Sequence, residues 1–415
     1  MQKNPLYSIS LNPKFSDIRI EHISPAISSL LSESKQKVAN LEKQATPSWE
    51  GLMQPLVDIE QAMSRPWSVV CHLNSVQNSS DLRKVYESLE SEVISFFLAL
   101  SQNKTFYKLL LEIRDSKSWN NMSAVRKKVV ENRIRDAKRS GIDLVDEQQK
   151  TFKDICQRLS GISTEFSNAV LDATKSFTLI LDRKEQVAGL LPVHLDFYSD
   201  AYNKYQKSQG KDNPVVATAK DGPWLISLDY PSYGPFMEYA DSEPERQKLY
   251  QAYMTRASSG KWDNTPRITE LLRLRKQKAA LLGFKNFSDY SVDNKMAQSP
   301  QKVYELIDKL STYALKSGNK ELSKLQEFSG QKTAGKKTSL QRWDVAYFSR
   351  MLKDESFGYK EEQLREYFPL SSVLTGLFDL ASRVFSIDIK DQTQKVQRWH
   401  KDVSYFEIFD QGSKE

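Results

Sequence analysis

Four histidines and two cysteines hold most of the chemistry that this 415-residue chain could do by itself. The histidines are His22, His72, His194 and His400, and the nearest pair is 50 positions apart. A helical zinc hydrolase needs two imidazoles four residues apart with a glutamate after the first, H-E-x-x-H, so that one turn of helix aims both at a single ion. No such pair is present. Cys71-His72 sets a thiol beside a base. Adjacent helical residues point about 100° apart and cannot form the hydrogen bond that activates a thiol, so the pair reads as structural. Glu21-His22 has no second histidine four residues on and reads as a helix cap or surface pair. Trp399-His400 precedes a strand and reads as structural. No G-x-S-x-G nucleophile elbow occurs. Gly330-Gln331-Lys332-Thr333-Ala334-Gly335-Lys336 imitates a phosphate loop, but Lys337 stands where a magnesium-binding Ser or Thr belongs. The segment before it reads as helix, where a phosphate loop requires a strand. The sequence therefore nominates no catalytic, cofactor-binding or metal-ligating residue.

Composition narrows the class. At 415 residues the chain can hold two or three domains. Hydrophobic residues are 39%, and Gly and Pro are 15 each, which suits long helices burying one stripe and disfavours a β-sandwich. The net charge is +7 with a pI of about 9.0. Lys and Arg are scattered among Asp and Glu on helical faces, so a solvated basic surface is expected and nucleic acid is not. Two cysteines cannot form a disulfide framework, which fits a reducing compartment. The N-terminal residues lack an apolar signal-peptide core, and no run of about 18 apolar residues could cross a membrane. The expectation is a cytoplasmic protein.

Helical periodicity dominates. Leu82, Val85, Tyr86, Leu89, Val93, Phe96, Phe97 and Leu100 step by three and four. A second long helix starts at Asp146, with Gln149 placed to complete a capping box, and its stripe runs from Phe152 through Ile155, Leu159, Ile162, Phe166 and Val170 to Ala173. Ser242 with Glu245 opens another helix, Thr265-Pro266 opens one that Gly283 closes, and Ser299-Pro300 opens one reaching to about Phe328. Residues 177–181 and 224–228 read as strands that pair in a small ribbon, joined through a polar stretch, 203–221, that reads as a mobile loop. A second polar stretch spans 330–339. Residues 403–409 alternate like a strand, and with no strand after them they are expected to be an unpaired edge.

Several segments, in order, carry a resemblance to a known family. They include Phe15-Ser16-Asp17-Ile18, Glu21-His22-Ile23, Ser48-Trp49-Glu50, His72-Leu73-Asn74-Ser75-Val76, Ser140-Gly141-Ile142 and the run 166–174. Tyr230-Pro231-Ser232-Tyr233, Gly260-Lys261-Trp262-Asp263-Asn264, Leu282-Gly283-Phe284, Trp343-Asp344-Val345-Ala346-Tyr347-Phe348 and Trp399-His400-Lys401-Asp402-Val403 continue it. Their order and spacing, along essentially the whole chain, resemble zinc metallopeptidases of the oligopeptidase A type in the thimet-oligopeptidase family. Three departures stand out. The segment before Gly260 is short, Ser386 stands where glycine is common, and Cys71 stands where serine is frequent.

The resemblance implies a mainly α, two-lobed architecture with a small β ribbon and a channel that admits short peptides. It implies a helical domain over 1–175, a ribbon and connection over 176–235, and the leading part of a helical peptidase domain over 236–415, incomplete at its C-terminus. It also implies zinc held by H-E-x-x-H and a further glutamate, with the motif glutamate as general base. None of those groups has a counterpart here, so the chain by itself is expected to carry no zinc and to be inactive. Its helices are then expected to leave apolar residues for a separate carboxy-terminal polypeptide to cover. The alternative is a non-catalytic helical scaffold that binds peptides or a partner protein.

Overall fold

The structure, a computed structural model, describes residues 4–7, 10, 12–210, 215–334 and 339–412. Among them it is mainly helical. The first helices are α1 (Ile20–Gln44), α2 (Gln54–Val76), α3 (Ser80–Ser101), α4 (Lys104–Asp115), α5 (Ala124–Arg139) and α6 (Asp146–Ser176). β1 (Leu179–Leu181), α7 (Pro192–Ser208) and β2 (Trp224–Ile226) follow. Next come α8 (Tyr230–Tyr239), α9 (Glu243–Met254), α10 (Thr265–Leu281), α11 (Phe287–Val292), α12 (Pro300–Lys332), α13 (Val345–Phe357) and α14 (Glu361–Leu364). α15 (Leu370–Phe385), β3 (Ile387–Asp391) and β4 (Phe406–Asp410) complete the described chain. The backbone divides into two compact units, one of 1–161, 274–287 and 370–415, the other of 162–273 and 288–369.

In the first unit, short polar side chains start the helices. Ser79 accepts from the Leu82 N–H, Asn103 from that of Phe106 and Ser123 from that of Arg126, each satisfying an amide the helix cannot. The expected α3 stripe is the buried one, with Leu82, Leu89, Val93, Phe96 and Leu100 in a core shared with Ile27, Met63, Val70, Phe106 and Ile113. Glu60 on α2 and Arg133 on α5 form a bidentate pair at the edge of that core. Gln149 does not close a capping box on α6. It donates to the carbonyls of Gly141 and Ile142, tying the helix to the turn before it.

The expectation for 403–409 is corrected here. The strand is β4, and it pairs antiparallel with the preceding segment, Ile387 opposite Asp410 and Asp391 opposite Phe406. β3 reads Ile-Asp-Ile-Lys-Asp, with only two apolar residues, so its sequence signals a strand weakly; the pairing supplies what propensity does not. Residues 392–405 are also anchored. Gln392 N–H donates to Tyr405 O (2.9 Å), Arg398 donates to Val403 O (2.8 Å), and Gln77 of α2 donates to Trp399 O. Ser386, between α15 and β3, has φ +54°, a left-handed conformation that costs a residue with a Cβ. That is a physical reason for glycine to be common there.

In the second unit the ribbon forms as expected, Leu179 opposite Ile226 and Leu181 opposite Trp224. Its core gathers Trp224, Ile226, Tyr198, Phe236 and Leu249. Of the stretch 203–221, residues 211–214 lie outside the described residues, and the rest is not all loop. α7 continues to Ser208, Asn203 exchanges hydrogen bonds with the Ala217 backbone, and Thr218 bridges Gly222. Gly222 has φ +69°, and a Cβ there would lie 2.8 Å from the Trp224 ring. α12 likewise runs past Phe328 to Lys332. Its last third packs on α13 through Leu325, Phe328 and Phe348. Glu245 does not cap α9; it is buried and accepts from Gln186 (3.0 Å) and Lys248 (3.1 Å).

A deeply buried joint of this unit is Arg246, 2% exposed, with Asp344, fully buried. The guanidinium donates to Asp344 Oδ1 (2.7 Å) and to the carbonyls of Ala240 (2.5 Å), Asp241 (3.1 Å) and Trp343 (3.3 Å), and lies 4.2 Å over the Tyr347 ring. Burial and the hydrogen bond to Asp241 push the Tyr347 hydroxyl up to about 12.

Two stability outcomes are expected. Arg246→Met or Asp344→Asn strands the other member of a buried pair and should lower stability by about 3–5 kcal/mol in urea unfolding; the double replacement Arg246→Met/Asp344→Leu should cost less than either single change. Ser386→Gly relieves the left-handed backbone and should raise stability by about 1 kcal/mol. A lower urea midpoint for Ser386→Gly would refute the strain.

Candidate functional site

Each histidine is occupied with a structural task. His22 sits in the first turn of α1, where its Nδ1 accepts from the Arg19 backbone N–H (3.2 Å). His194 repeats the arrangement on α7, accepting from Leu191 N–H (3.4 Å), and its ring packs edge-on to Tyr239 at 4.9 Å. The imidazole does at these two helix starts what a glutamate does in a capping box. His400 Nδ1 accepts from the Asp402 N–H (3.3 Å), closing a turn. The cap role expected for His22 and the structural role expected for His400 are both observed.

His72 belongs to an aromatic joint. Its ring meets Trp399 edge-on at 4.3 Å and Phe15 at 5.6 Å, and Phe15 meets Trp399 at 5.1 Å. Three of the segments that carry the sequence resemblance, distant in the chain, converge at this point. Cys71 beside it faces other company: Tyr86 hydrogen-bonds the thiol, and burial, the largest influence, pushes its pKa up. Burial does the same to Cys156, against the opposing effect of Lys278. A nucleophilic cysteine needs its pKa lowered, so neither thiol is poised to attack. Among the described residues no three His, Cys, Asp or Glu side chains converge as metal ligands. Gly330–Lys332 of the phosphate-loop look-alike end α12 and Thr333 and Ala334 turn from it; Gly335, Lys336 and Lys337 lie outside the described residues.

What the surface offers instead is uncovered apolar area. A groove of about 500 Å³ between α12 and α13 is floored by Leu322, Leu325 and Leu352, with Val345 and Phe357 at its sides and Lys324 and Lys353 on its rim. The leading two-thirds of α12 exposes Tyr304, Ile307, Leu310 and Tyr313. α15 exposes Leu370, Val373, Leu377, Leu380 and Val384, from 44 to 74% each, on one stripe. The periodicity of these residues is legible in the sequence; that nothing covers them is not. No described helix is long and apolar enough to cross a membrane.

Residues 236–415 match the family described as "Peptidase family M3", and residues 27–149 match "Neurolysin/Thimet oligopeptidase, N-terminal domain". The chain belongs to peptidase family M3. It is 36% identical over 410 residues to an organellar oligopeptidase A, chloroplastic/mitochondrial, of Arabidopsis thaliana, covering 99% of this chain and 51% of that protein. It is also 36% identical over 410 residues to a probable cytosolic oligopeptidase A of the same plant, covering 57% of it. To oligopeptidase A of Escherichia coli it is 35% identical over 416 residues, covering 59%. This family M3 chain thus spans between about half and three-fifths of the length of the curated relatives it matches.

Metal analysis follows from the histidine geometry. After dialysis against metal-free buffer, the chain should retain far less than one zinc per molecule, because a tight site needs three or four converging ligands. About one zinc per chain would contradict it.

Proposed function

We propose that this chain forms the amino-terminal portion of an oligopeptidase A-like zinc metalloendopeptidase that hydrolyses short peptides, and that it is inactive alone. The observation that carries the reading is a mismatch: similarity to oligopeptidase A runs along 99% of the chain, yet every histidine in it is committed to a cap, a turn or an aromatic joint. The described residues do not fit a zinc site, so no catalytic step is assigned to them. Zinc and the groups that hold it belong, in this reading, to polypeptide outside these 415 residues. The chain's own part is a helical domain over 1–175, a connection over 176–235 and the leading part of the peptidase domain over 236–415. A cytoplasmic setting is supported by the bacterial and cytosolic relatives; the organellar relative marks the other setting the family uses.

Complementation tests this. The chain is co-expressed with the part of Escherichia coli oligopeptidase A that lies outside the region it matches. Cleavage of short quenched-fluorescent peptides should appear only with both polypeptides, vanish with a chelator, and leave a folded protein intact. Chelator-sensitive cleavage by this chain alone, purified from a host lacking the peptidase, would overturn the proposal. A chain that associates without gaining activity would instead favour a helical scaffold.

A further inference from the structure

We infer that the outward stripe of α15 is the seat of an amphipathic helix from the completing polypeptide; this rests on the reading above. The stripe, Leu370, Val373, Leu377, Leu380 and Val384, advances by three, four, three and four. That spacing makes the apolar seam of two helices crossing at about 20°, each side chain entering a gap in the facing helix. A flank of α15, roughly 120° round the helix from the stripe, is already used: Phe378 packs edge-on to Phe406 of β4 at 4.8 Å. The helix is therefore held along that flank, and its stripe is presented to solvent. Gly376 lies at the edge of the stripe, and a Cβ built there meets nothing within 4 Å, so a second backbone can come close.

The extent of the stripe decides the occupant. α15 has 16 residues, a length of about 24 Å, and one such seam buries far less than the roughly 800 Å² per partner of a stable assembly. A second copy held by this seam alone falls short. A polypeptide that continues from the seam onto other surfaces of the chain does not. The chain covers 59% of Escherichia coli oligopeptidase A, so about two-fifths of that protein has its counterpart elsewhere, enough to supply such a helix and its further contacts.

The test uses the full chain, tagged, and the complementary part of Escherichia coli oligopeptidase A as the probe. Leu377→Glu and Leu380→Glu should each weaken association at least tenfold, while Leu377→Met and the exposed α5 change Val125→Glu leave it unchanged. Circular dichroism melting of each variant reports its fold, and hydrogen exchange of residues 370–385 in the wild type should slow on adding the probe. Undiminished association of both glutamate variants, or unchanged exchange in α15, would overturn the seam while leaving the proposed function standing. Failure of the wild type to associate would overturn both. A wild-type dimer that Leu377→Glu converts to monomer would make the occupant a second copy and overturn this assignment.

Discussion

A helix in water can bury only one stripe against its neighbour, and an apolar stripe left uncovered withholds stabilisation. This constraint organises the molecule. α1 to α5 satisfy it among themselves, with Ile27, Met63, Val93 and Ile113 enclosed in one core. α12 satisfies it over its last third only, and α15 on one side only. Covering a Leu or Val is worth about 1.5–3 kcal/mol. The five residues of the α15 stripe therefore hold back a sum comparable with the whole stability of a small domain, about 5–15 kcal/mol. Exposed apolar faces of this kind usually mark interaction surfaces.

Polar joints fix how the helices meet. The Arg246 guanidinium ties α9 to the turn before α13 by satisfying one carboxylate and three carbonyls in a dry site. Its net contribution to stability is small because desolvation offsets attraction, yet removing either partner strands a buried charge. The same geometry explains part of the family resemblance. In Trp343-Asp344-Val345-Ala346-Tyr347-Phe348, Trp343 and Asp344 accept from Arg246, Tyr347 donates to Asp241 (2.8 Å), and Phe348 fills the α12–α13 core. Asn264 does comparable work elsewhere in this unit, donating to Phe166 O (3.2 Å). These two matching segments serve as joints of the fold.

The histidines illustrate the same separation. Imidazole is the side chain most suited to metal and proton chemistry near neutral pH. Here two of the four accept backbone N–H groups at helix starts, one closes a turn and one packs among aromatic rings. Residue type alone therefore does not assign an imidazole its role; the groups around it do, because fold and site are separable.

The sequence by itself determined the helical class, the α3 and α6 stripes, the β1–β2 ribbon and the family, because period, caps and segment order are local properties written in residue types. It also determined that no H-E-x-x-H exists, which is a matter of spacing alone. Only the tertiary structure decided the partner of β4. Ile387 and Ile389 are too few to announce a strand, and it is pairing with Phe406–Asp410 that makes them one. Tertiary structure likewise turned Glu245 from an expected cap into a buried acceptor for Gln186 and Lys248, and Gln149 into a tie to the preceding turn. It joined Phe15, His72 and Trp399, and it left the stripe from Leu370 to Val384 open. Periodicity tells which side of a helix is apolar; whether that side is covered depends on residues far away in the chain, or outside it.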